Sequence, residues 1–166
     1  QGYSYSDETV RRFARLAPAA KDFRIYWDNA YGVHHLYDDR QDQLIEILHE
    51  GKKAGNPDIV YKFASTSKIT FPGSGVAALA TSLTSLNNLE DIKNQMKSQT
   101  IGHDKVNQLR HVRYFKDLDG IRAHMRRHAD VIRPKFEIVE RTFDEQLEVL
   151  GIGSWTVPNG GYFISF

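Results

Sequence analysis

"DIVYKFASTSKITFPGSGVA", residues 58–77, joins an apolar, β-branched run to a lysine enclosed by small residues. "DIVYKFAS", residues 58–65, reads as a strand that gives way to the lysine segment. The hydroxyls of Ser65, Thr66 and Ser67 then precede Lys68, and Gly73 and Gly75 follow it. A solvent-facing lysine needs none of these neighbours. An amine acts as a nucleophile toward carbonyls only when deprotonated, so a covalent lysine belongs in a pocket that lowers its pKa from about 10.4. Glycines let backbone approach a bound group, and hydroxyls donate to an anion such as a phosphate. On this stretch alone, the plainer reading of a surface lysine before a turn stands ahead.

A second strand changes the balance. "FRIYWD", residues 23–28, is aromatic and β-branched and runs into "NAYG". It places a carboxylate, Asp28, and a phenol, Tyr31, where the strand ends, and strand ends are where open α/β sheets bind ligands. A lysine for a covalent link, an acid for a pyridinium nitrogen and donors for a phosphate are what a pyridoxal phosphate site requires.

Helices are expected around these strands. Ser6 with Asp7 and Glu8 caps a helix carrying Val10, Phe13 and Ala17 and ended by Pro18. Another lies around 40–50, with Leu44, Ile47 and Leu48 on one side, broken by Gly51, Gly55, Asn56 and Pro57. The alternation predicts an α/β layer with parallel strands. After Gly75 the chain reads as helical, with Leu86, Leu89, Ile92 and Met96 in register and then Val106, Leu109 and Val112. From Ile121 to Leu150 apolar residues recur every three or four positions, one long helix bent at Pro134 and capped by Gly151. Short strands near 152–157 and 162–166 flank the turn signal "PNGG".

Bulk properties exclude several classes. The 166 residues are 40% hydrophobic, enough to bury a core. A net charge of +1, from 22 basic and 21 acidic residues, gives no footprint for nucleic acid. No apolar run reaches the about 20 residues of a membrane span. The absence of cysteine excludes disulfides and thiolate metal sites and suits a cytoplasmic setting. The opening Gln1-Gly2 and the strand-like "GGYFISF" at the far end read as a piece of a longer protein.

The three stretches together resemble fold-type I, class I/II pyridoxal phosphate-dependent aminotransferases. "QG" at 1–2 resembles the end of that family's Asn-Pro-x-Gly, "DNAY" at 28–31 its Asp-x-x-Tyr, and "STSK" at 65–68 its Ser-x-x-Lys, in the family's order. "TSKITFPGSGVA" and "GSWTVPNGGYFISF" are most similar to the bacterial aspartate aminotransferase-type, MocR-like group. The likeness implies that Lys68 carries pyridoxal 5'-phosphate as a Schiff base and moves the substrate's α-proton. It implies that Asp28 pairs with the ring nitrogen, Tyr31 with the phenolic oxygen, and Ser65 with the phosphate, Ser67 being a second candidate there. It also implies a large-domain portion over 1–118, mostly a parallel sheet with helices. An interdomain helix over 119–150 and the start of a small α+β domain over 151–166 would follow.

The expected substrates are an amino acid and a 2-oxo acid. The expected partners are a second copy, as a homodimer, and the missing N-terminal part of the same protein, which in the family supplies the glycine-rich phosphate loop and the ring-stacking aromatic. The arginine that grips the substrate carboxylate should follow residue 166. Two other activities share these residues: a lyase of the same fold, and a non-catalytic effector-binding or dimerisation domain of a MocR-type regulator. One departure stands out, since most relatives carry a phosphate-clamping arginine a few residues beyond the "PG", roughly where this chain has Gly75.

The remaining titratable clusters carry plainer readings. His124 and His128 have a helical i, i+4 spacing but flank Arg126 and Arg127, which repel cations, and read as a solvated helix face. His34 and His35 follow Tyr31 closely enough to line the pocket, but the plainer reading is exposed loop histidines. Tyr26 with Trp27, and Tyr114 with Phe115, read as core packing. Asp38, Asp39 and Asp42 lack the spacing of a calcium loop. No metal is expected.

Overall fold

The computed structural model describes residues 2–71 and 73–166. Gln1 of the "QG" pair and Pro72 of the "PG" pair lie outside the described residues. The chain divides into two compact units, Tyr5–Ala30 with Leu44–Arg113, and Gln1–Ser4 with Tyr31–Gln43 and Tyr114–Phe166.

The first unit is built on a three-stranded sheet in the order β1-β2-β3. Helix α1 (Asp7–Ala14) starts where Ser6 Oγ accepts from the Thr9 N–H at 3.2 Å, and it buries Val10 and Ala14. It stops short of Pro18 because the Asn56 side-chain amide takes the carbonyls of Ala14 and Leu16, at 3.2 and 2.9 Å. Strands β1 (Ile25–Asp28) and β2 (Val60–Ser65) are parallel, with Ile25 opposite Val60 and Asp28 opposite Phe63. Helix α2 (Ile47–Lys53) lies between them in sequence. It begins several residues later than its apolar spacing suggests, because the Glu46 carboxylate caps the Leu48 N–H and leaves Leu44 exposed outside. Gly51 is inside this helix, and the chain turns out of it at Gly55, whose φ of 73° suits glycine.

Strand β3 (Ala77–Ala80) departs from the sequence expectation of helix after Gly75. It runs antiparallel to β2, Ser65 facing Ala77 and Lys62 facing Ala80. The Thr66 N–H donates to the Val76 carbonyl at 2.9 Å, closing the 66–76 loop so that the returning alanines meet a strand edge. The sheet is therefore mixed. Ile25 and Trp27 pack toward α1 and α2 around Val10, Ile47, Ile59 and Val60. Tyr5, Phe13 and Trp27 meet there edge-on or tilted, with ring centroids 5.5 to 6.0 Å apart. Alternation sends Tyr26 to the opposite face, 71% exposed and stacked on Phe63 at 5.6 Å, so of the expected core pair only Trp27 packs inward.

Helix α3 (Leu86–Gln99) follows the Ser85 cap, and α4 (Lys105–Phe115) follows Asp104. Asn88 is fully buried. Its amide donates to the Asp58 carbonyl at 2.8 Å and to Thr81 Oγ1 at 3.1 Å, while its oxygen accepts from Arg24 Nε at 3.0 Å. This polar hub ties α3 to one end of the sheet, where β1 and β2 begin and β3 finishes, and meets the rule that a buried amide must be satisfied.

The second unit is organised by α5 (Leu118–Gln146), capped by Asp117 at its start and containing Pro134. A 3-10 turn, Glu148–Leu150, and a left-handed Gly151 at φ 60° end it. Met125, Ala129 and Phe136 are buried along one side, and Arg133 donates to the Leu36 carbonyl at 3.0 Å. The strands expected near 152–157 and 162–166 do not form. Thr156 N–H bonds to the Ser165 carbonyl, but the return bond goes from Ser165 N–H to the Thr156 hydroxyl at 3.0 Å. A side-chain acceptor in place of the backbone one interrupts the ladder. Trp155 and Phe166 stack nearly parallel at 6.3 Å, with Phe143 edge-on. Of the Tyr114–Phe115 pair, Phe115 is buried and Tyr114 is exposed. Among the described residues no helix is long and apolar enough to cross a membrane.

Candidate active site

The carboxyl ends of β1 and β2 bring the first candidate residues to one edge. Tyr26 and Phe63 share a sheet face, so Asp28 and Ser65, each two residues further along, share it too. The Asn29 N–H bonds to the Phe63 carbonyl at 2.9 Å and holds the chain in register just past Asp28. Ser65 Oγ accepts from the Ser67 N–H at 3.0 Å, and the two hydroxyl oxygens lie 2.5 Å apart. The two serines are a single hydroxyl pair. Beyond them the chain winds one helical turn, Ile69 and Thr70 N–H groups both donating to the Thr66 carbonyl at 3.1 Å. Buried Ile69 anchors this turn and exposed Lys68 projects from it.

Gly75 is the other half of the cradle. A Cβ built there would sit 2.9 Å from Ser67 Cα and overlap the Ser67 hydroxyl. No side chain fits at this position while the serine pair keeps its place, so the arginine of the family pattern has no room at 75. Gly75→Ala should lower stability by about 1–3 kcal/mol, the range for overpacking, in urea unfolding of the full-length protein. Wild-type stability in that variant would show that Ser67 is free to yield.

Tyr31 belongs to the second unit, among rings. His34, Tyr162 and Phe163 surround it with centroids 5.2, 5.6 and 6.1 Å away, each edge-on. His34 is buried rather than exposed, and His35 is half-buried and bridged through its backbone to Gly160. His124 and His128 do not form a solvated face either. They stack on each other at 6.4 Å, with Tyr162 Oη 3.1 Å from His128 Nε2 and Tyr114 beside His124. The sequence hid this because the rings that cover them come from distant segments.

Burial lowers the pKa of His128, helped by the neighbouring His124, and burial also raises that of the Tyr162 phenol. Burial lowers His35 as well, against the pull of Asp42. A histidine held neutral in the fold binds its proton more readily when unfolded, so its contribution is full above the unfolded pKa of about 6.5 and falls as pH drops below it. His34, His124 and Tyr162 face His128, and none is a carboxylate that would reverse the sign. Stability should therefore fall from about pH 6.5 downward, and His128→Gln should flatten that slope in thermal unfolding series.

Asp42 is committed to structure. Asn159 and Ser4 donate to its carboxylate at 2.9 and 2.5 Å and hold its pKa down, while Asp38 pairs with Arg126 at 3.7 Å. Among the described residues no three His, Cys, Asp or Glu side chains group as a metal site.

The mixed α/β architecture matches that of solved aminotransferase structures. It superimposes on the crystal structure of an aspartate transaminase from Corynebacterium glutamicum with a TM-score of 0.90 and 44% identity, over 98% of this chain and 38% of that one. The family model described as aspartate amino-transferase matches residues 1–166, and the chain belongs to that family. An aspartate aminotransferase of Corynebacterium glutamicum is 44% identical over 164 residues, covering 99% of this chain and 37% of that protein. A Mycolicibacterium smegmatis protein is 46% identical with the same coverage. The chain thus spans about 37% of the length of the curated relatives it matches.

Proposed function

We propose that the protein containing this chain is a pyridoxal phosphate-dependent transaminase of the aspartate aminotransferase type, moving an amino group from an amino acid to a 2-oxo acid. The observation that carries this reading is the match of the whole chain to the family, with Asp28, Ser65 and Lys68 at the ends of adjacent parallel strands. The MocR-like grouping rests on "TSKITFPGSGVA" and "GSWTVPNGGYFISF". We place the protein in the cytoplasm, as a homodimer whose site also draws on the preceding part of its own chain.

The donor set fits the cofactor. The Ser65–Ser67 pair offers two hydroxyls at one point for phosphate oxygens, and Gly75 keeps that point open. With no arginine there, phosphate binding from this chain rests on hydroxyl and backbone donors. When bound, pyridoxal phosphate supplies an electron-poor ring that stabilises the negative charge left when the substrate's α-proton departs. Asp28 would hold the proton on the ring nitrogen by charge. Lys68 Nζ would hold the cofactor covalently and, when free, would be the base that accepts the substrate's α-proton and gives it back. Tyr31 donates to the ring oxygen, an assignment that rests on the sequence likeness alone.

Borohydride reduction of the full-length protein with pyridoxal phosphate, followed by peptide mapping, tests the reading. Label on Lys68 is expected, and label on another lysine overturns it. Release of a 2-oxo acid from amino donors, balanced by amination of an added 2-oxo acid, then separates transamination from a lyase or a binding domain.

A further inference from the structure

Thr66 stands between the paired serines, and its bonds account for every proton around it. Its N–H donates to the Val76 carbonyl at 2.9 Å, and the Val76 N–H donates to its Oγ1 at 2.8 Å. Its carbonyl takes the N–H groups of Ile69 and Thr70 and the Thr70 hydroxyl. The loop neck and the lysine turn therefore meet in this one residue. Its own hydroxyl proton has two places to go, His111 Nε2 at 2.8 Å or the Val76 carbonyl at 3.4 Å.

Helix α4 decides between them. His111 Nδ1 lies 2.9 Å from the Asn107 carbonyl, which can only accept, so Nδ1 bears the hydrogen. In the neutral ring Nε2 then presents a lone pair, and Thr66 donates to it. One turn earlier on the same helix, the Asn107 side-chain amide donates to the Ser74 carbonyl at 2.9 Å. Both arms of the 66–76 loop are thus tied to α4, one through His111 and the other through Asn107.

We propose that His111, as the neutral Nδ1–H tautomer, is a positioning residue for Lys68, fixing Thr66 so that the Ser67–Ile69 turn presents the amine in one geometry. This rests on the reading of Lys68 as the cofactor-bearing lysine. His111 touches no reacting atom in this arrangement. It acts by holding the turn, and a displacement of about 1 Å in a reacting group costs up to about 100-fold in rate.

The test uses the full-length protein with His111→Leu, which fills the space without an acceptor, and His111→Gln, whose carbonyl oxygen can accept from Thr66. Thr66→Val and Thr66→Ser form the matching pair from the other side and cover the case of a leucine variant that does not fold. In His111→Leu, kcat should fall about 10- to 100-fold with KM for the amino donor little changed. In the cofactor-free protein, amide exchange at Val76 should quicken by about tenfold, as expected for loss of one hydrogen-bonded tie. His111→Gln should restore both, and Thr66→Val combined with His111→Leu should be no worse than the poorer single variant.

Unchanged Val76 exchange in His111→Leu overturns the proposal. So does faster exchange with undiminished kcat, or a glutamine variant as impaired as the leucine one. If borohydride fails to label Lys68 in the wild type, the functional reading falls. The exchange data still decide whether His111 braces the loop.

Discussion

Replacing Lys68 with alanine should reduce transamination by the full-length protein by about 10³-fold or more, near the upper range for loss of a group that moves the reacting proton. The turn that carries the residue is held by Ile69 beneath it and by the Thr66 carbonyl, so removing an exposed side chain leaves the backbone intact. Thermal stability of the cofactor-free variant should match wild type, which separates loss of chemistry from loss of fold. Lys68→Arg should be as inactive, because a guanidinium stays protonated near neutrality and can neither attack a carbonyl nor take a proton. The check is a single-turnover measurement with amino acid alone, followed by mapping of reduced protein. Appreciable turnover in either variant would move the reactive amine to another lysine.

Asp28→Asn should lower kcat by roughly 10²- to 10³-fold, the scale for losing one preorganised electrostatic partner of a developing charge. Asp28 is the last residue of β1, on the sheet face shared with Ser65, and the neighbouring Asn29 N–H locks that strand end to Phe63. Asparagine keeps the shape and removes the charge, so a ring nitrogen opposite it loses its reason to stay protonated. Lys68 should still be labelled by borohydride, because attachment does not need that proton. Asp28→Glu, with the charge kept but moved by one methylene, should fall between the two. Measured rates of α-proton exchange on the substrate give the readout closest to the step. An undiminished rate in Asp28→Asn would remove this carboxylate from the mechanism.

What the sequence made legible follows from which signals are local. β1 and β2 were readable because Ile25, Tyr26, Trp27, Val60, Tyr61 and Phe63 have side chains that favour extended backbone. β3 was not, because "AALA" carries no such preference and its extension is dictated by the edge of β2 and the neck at Thr66 and Val76. The helical caps at Ser6, Ser85 and Asp117 are short-range and were legible in kind, although only Ser6 was singled out. The lysine turn announced itself through composition. Its brace did not, since the partners of Thr66 and Ser74 lie on a helix more than thirty residues away. A histidine four residues after an asparagine was the only trace of it. Asn88 was equally invisible, a polar residue in a polar helix that becomes the most buried amide of its unit only when Arg24, Asp58 and Thr81 converge on it.

The two tryptophans fall one in each unit, Trp27 against Phe13 and Tyr5, and Trp155 against Phe143 and Phe166. Their emission therefore amounts to a pair of native fluorophores reporting on separate packing environments. Replacing either with phenylalanine and subtracting the variant's emission from that of the parent isolates the indole of one unit. Whether the halves unravel together or in sequence becomes readable with no attached dye.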